Sequence, residues 1–141
     1  MAFQEKSAWI MALALFTAAG LYFGTVLSMS AQAGDWVSPD LPALLVYTVG
    51  LVAVVIIGHA IVAALSPKEA NARLDERERL IKMRAGNICG YILTSGVVIS
   101  LSLYWLHTNG DLLFYSVFGA LMLAQLAEFL LQILYYRMGR A

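Results

Sequence analysis

Four long apolar runs constrain this chain more than any other feature, because each is long enough to cross the hydrocarbon core of a bilayer as a helix. A crossing takes roughly 17 to 25 residues. The runs extend from about Ala8 to Met29, Leu41 to Leu65, Ile88 to Leu106 and Leu112 to Tyr136. They use up most of the 141 residues, which predicts one domain, residues 1–141, and leaves no room for a separate soluble catalytic module. The expected fold is all-α, an integral membrane four-helix bundle. Composition agrees: 13% of residues are charged, against about a quarter in an ordinary soluble domain.

Net charge is zero, which speaks against a nucleic-acid partner. The placement of charge says more. Lys6 precedes the first run, six of the nine basic residues lie between the second and third, and Arg137 and Arg140 follow the fourth. The opposite connections hold Asp35, Asp40 and Asp111 instead. By the positive-inside rule both termini and the 66–84 segment belong in the cytoplasm. Cys89 is the one cysteine, so no intrachain disulfide forms, and it reads as a small buried apolar residue.

Ala31-Gln32-Ala33 after the first run imitates a signal-peptidase site, but the run is about twice the length of a secretory h-region. It is expected as a retained helix with Trp9 at its inner interface. Gly20 with Gly24, and Gly86 with Gly90, have GxxxG spacing and are expected as helix-packing positions, within the subunit or against a second copy. Asp40 before Leu41-Pro42 marks the start of the second helix, and Asn109-Gly110 marks a tight turn between the third and fourth.

Between the second and third runs, Ser66-Pro67-Lys68-Glu69 and Asp75-Glu76-Arg77-Glu78 both have the form of a capping box. They predict a helical cytoplasmic segment over 66–87, with a short turn from Ser66 and the third helix starting at Asp75, so that this helix is extended into the cytoplasm. Asp75 with Arg79 and Glu78 with Lys82 stand at i,i+4 with the acid first, the favoured order for helix ion pairs. Glu76, Arg77 and Arg84 complete this charged helix, whose basic residues suit anionic lipid headgroups or a cytoplasmic protein partner.

The fourth run carries Gln125, Glu128 and Gln132, which fall on one helical face. A carboxylate at the centre of a membrane helix costs roughly 2.5 to 3.5 kcal/mol by insertion scales, so an acidic residue there calls for partners. Counted from the inner ends, His59 in the second helix lies at nearly the depth of Glu128. The two are expected either as a proton-titratable site, with Gln125 and Gln132 as neutral donors, or as a polar clasp that fixes helix register. No ligand spacing for a metal, no P-loop and no catalytic triad order is present, so neither a cofactor nor an enzyme activity is expected.

The string SPKEANARLDERERLIKMRAGN, with a Gly-His pair before it and AQLAEFLLQI after it, resembles a family of small uncharacterised bacterial four-span inner-membrane proteins. The resemblance covers essentially the whole chain and is most specific at DERERLI and RAG. It implies an inner-membrane four-helix bundle and no particular activity. Two functions follow as expectations. One is a homo-oligomeric, proton-linked transporter or channel for a small solute or cation, built on the Glu/His pair. The other is a non-transporting accessory or sensory subunit that docks a cytoplasmic partner through its charged helix.

Overall fold

The computed structural model describes residues 3–65 and 75–139, and every regular element among them is a helix. They are α1 (Phe3–Ala33), α2 (Leu41–Leu65), α3 (Glu76–His107) and α4 (Gly110–Met138). All four are long and apolar enough to cross a membrane. At about 1.5 Å per residue, the 32 residues of α3 measure about 48 Å, well beyond a hydrocarbon core of about 30 Å. Three of the helices run past the apolar stretches that announce them, because polar end residues such as Gln4, Glu5 and Glu76 continue the same backbone.

The ends are set by local chemistry. Asp40 Oδ2 accepts from the Ala43 amide at 3.0 Å and starts α2. Asp75 caps α3 through a reciprocal capping box, in which the Glu78 side chain reaches back to the Asp75 amide. This bears out the expected start of the third helix. Asn109 Oδ1 caps α4 by accepting from the Leu112 amide at 2.9 Å, while Thr108 closes α3 in the left-handed region with φ of 49°. The Ser66 turn lies outside the described residues.

The main packing contacts run in the order α2, α1, α4, α3, so α1 sits between α2 and α4. Neighbours are antiparallel, which puts the start of α1, the end of α2, the start of α3 and the end of α4 at one end of the bundle. No residue of α2 is buried, and large apolar side chains face outward throughout, Val46 at 70% and Phe16 at 66% exposure. Such a surface is stable only where the surrounding solvent is itself apolar.

The part of the glycine expectation that concerns packing within the subunit needs correcting. A methyl added at Gly20, Gly24, Gly86 or Gly90 would meet nothing within 4 Å, so neither GxxxG pair packs helices within the chain. Close approach happens at other glycines. A methyl at Gly58 would lie 2.6 Å from Ile10 of α1, and one at Gly96 would lie 2.5 Å from the Ala120 Cβ of α4. Spacing alone marks small residues; the contact is decided by what faces them.

Candidate functional site

Three polar groupings stand out within or at the ends of the apolar bundle, and they are separate. The first joins α2 to α1. His59 Nδ1 lies 2.8 Å from the Val55 carbonyl, which can only accept, so Nδ1 carries the proton. In the neutral ring Nε2 is then the acceptor, and the Ser7 hydroxyl donates to it across 2.6 Å. This bond pins α2, the least buried helix, to the start of α1. Replacing Ser7 by alanine should cost about 0.6 kcal/mol, typical of a hydrogen bond between membrane helices. Unfolding in mixed micelles would measure it, and no change would mean that the Ser7–His59 bond does not hold α2 in place.

The second grouping joins α4 to α3. Gln132, only 5% exposed, donates from Nε2 to Glu128 Oε1 at 3.2 Å. Cys89, buried on α3, lies beside the same carboxylate. Gln125 is half-buried one turn away and makes no hydrogen bond among the described residues.

The expected pairing of His59 with Glu128 is therefore not formed: among the described residues no hydrogen bond or ion pair joins them. The reason is helix order. Similar depth says nothing about azimuth, and α1 lies between α2 and α4. The Cys89 contact was legible only as a buried small residue, since its facing partner lies 39 positions further along the sequence.

The third grouping is the charged end. Lys82 Nζ of α3 donates to Gln4 Oε1 of α1 at 2.8 Å. Arg137 of α4 approaches Glu5 at 3.7 Å and lies 5.4 Å from the Trp9 ring centroid, a cation–π distance. Arg77 of α3 lies near Gly139 at the end of α4. The ends of three helices are thus tied together.

The ion pairs expected along α3 do not form among the described residues. Asp75 and Glu78 spend their carboxylates on the cap, and Lys82 turns to Gln4. The side chains of Glu76, Arg79 and Arg84 are exposed and make no hydrogen bond or ion pair among the described residues. No group of three or more His, Cys, Asp or Glu side chains among the described residues is placed to hold a metal ion.

Compared with known proteins, the chain matches no family model, no curated protein and no solved structure.

Proposed function

We propose that this is a non-enzymatic accessory or sensory subunit of the bacterial inner membrane, with both termini in the cytoplasm, which docks a cytoplasmic partner on the start of α3. The observation that carries the reading is a braced but unsatisfied charged surface. The first turns of α3 are capped and tied to α1 through Lys82 and Gln4. Glu76, Arg79 and Arg84 are nevertheless left exposed on them. A held helix loses little freedom when it binds, and its charges select a complementary surface. The orientation rests on the one-sided distribution of lysine and arginine. Anionic headgroups are the competing occupant of those charges, at about 1 kcal/mol per basic residue.

The test is site-specific photocrosslinking in native membranes from positions 79 and 84. One defined protein adduct is expected, lost in Glu76→Lys and, from position 79, also in Arg84→Glu, but retained when an outward-facing residue such as Leu101 is changed. Adducts with lipid alone would overturn the reading.

Transport is the second reading, favoured by Glu128 held inside the bundle by Gln132 and Cys89. It requires pH-driven flux in reconstituted vesicles that Glu128→Gln abolishes. The docking reading expects neither protein to leak faster than empty vesicles. The open glycine pairs on α1 and α3 suit a second copy, so self-association accords with either reading.

A further inference from the structure

At the end of the bundle opposite the charged grouping, the segment between α1 and α2 folds over a cavity of about 90 Å³. Its walls come from three helices: Tyr22 and Thr25 of α1, Tyr47 of α2 and Tyr115 of α4, with Asp40 and Ser38 from the connection. The ring centroid of Tyr22 lies 5.3 Å from that of Tyr47 and 6.5 Å from that of Tyr115. Two of the three hydroxyls are occupied, since Tyr115 donates to the Val37 carbonyl at 3.0 Å and Tyr47 bonds Thr25 at 3.2 Å. The third is not. Tyr22 is 3% exposed, yet its hydroxyl makes no hydrogen bond among the described residues. Asp40 gives Oδ2 to the cap of α2, and its other carboxylate oxygen makes no hydrogen bond among the described residues.

From this geometry we infer that the cavity is a binding site for a small quaternary ammonium group. The wall is lined by three tyrosines and one carboxylate and no positive side chain, so it favours a cation over an anion. This end of the chain carries Asp35, Asp40 and Asp111 against no lysine or arginine, with His107 as its one weak base. A metal ion is the poorer fit, because calcium and magnesium need six or more oxygen ligands and no cluster of three metal-binding side chains is described. A primary ammonium brings three donors that must each find an acceptor, whereas a quaternary head needs none. A small cavity of this kind suits a compact methylated ammonium head. The site stands independently of the docking role proposed for the other end.

Titration calorimetry on the whole chain in phosphatidylglycerol nanodiscs tests it, with choline as probe and 3,3-dimethyl-1-butanol as its uncharged equivalent. Choline should bind at least tenfold more tightly than the alcohol. Asp40→Asn should weaken it by at least tenfold while preserving the helix start, because asparagine caps as well as aspartate. Tyr47→Leu should weaken it about three- to thirtyfold, whereas Tyr47→Phe, which keeps the ring face, should leave it within about twofold. Equal binding of alcohol and choline, full binding by Asp40→Asn, or no choline binding to the parent would overturn the assignment. Repeating the titration in phosphatidylcholine nanodiscs separates two sources of the same chemistry. Competition there identifies a lipid headgroup as the occupant, and unchanged affinity identifies a free solute.

Discussion

Replacing Tyr22 by alanine should destabilise the bundle by about 3 kcal/mol, the lower end of the range for deleting a buried aromatic ring. The lower end applies because lipid, not water, surrounds these helices, so the transfer part of the cost shrinks and the cavity part remains. Tyr22 is the ring through which three helices meet. Its centroid lies 5.3 Å from Tyr47 of α2 and 5.3 Å from Phe118 of α4, both close to edge-on at 80° and 72°. Trp36 and Phe114 extend the same cluster around Tyr115. Deleting the ring leaves a void that no neighbour can fill without moving a helix. Tyr22→Phe provides the control, since no hydrogen bond of the hydroxyl is lost, and its cost should stay within about 0.5 kcal/mol. Reversible unfolding in mixed micelles, followed by tryptophan fluorescence, measures both. Equal losses for the two variants would mean that the hydroxyl, and not the ring, holds this end together.

Sequence made the four crossings and the start of α3 legible, because both signals are local. An apolar run of fixed length and an Asp-x-x-Glu cap need no knowledge of what they will touch. What failed to show in the sequence depended on facing surfaces. His59 and Glu128 share a depth, and only the order of the helices puts α1 between them. The residues they actually meet, Ser7 for one and Gln132 with Cys89 for the other, are a small hydroxyl, an amide and a thiol with no distinguishing context. The aromatic cavity was missed for a related reason. Tyr22, Tyr47 and Tyr115 stand far apart in the chain, and interfacial aromatics are expected at the ends of any membrane helix. The density of rings in Phe114, Tyr115 and Phe118 was the available hint.

A valine at Gly96 should cost about 2 to 3 kcal/mol, the upper range for overpacking a filled interior, while a valine at Gly24 should change the stability of the single chain by no more than about 0.5 kcal/mol. Both are glycines in the middle of apolar helices, so composition and helix propensity do not separate them. Their surroundings do. The first methyl at Gly96 would already lie 2.5 Å from the Ala120 Cβ and 3.5 Å from its Cα, atoms fixed to the backbone of α4 that cannot swing aside, whereas Gly24 meets nothing within 4 Å. α3 and α4 would have to separate, pulling Cys89 away from Glu128 further along the same interface. A compensating change isolates the cause. Ala120→Gly should restore most of what Gly96→Ala loses, with a coupling energy of about 1 kcal/mol between two positions in direct contact. Micelle unfolding of the two singles and the double gives that coupling. If the effects simply add, or if Gly24→Val is as damaging as Gly96→Val, the close approach of α3 to α4 at Gly96 is not what holds this half of the bundle together.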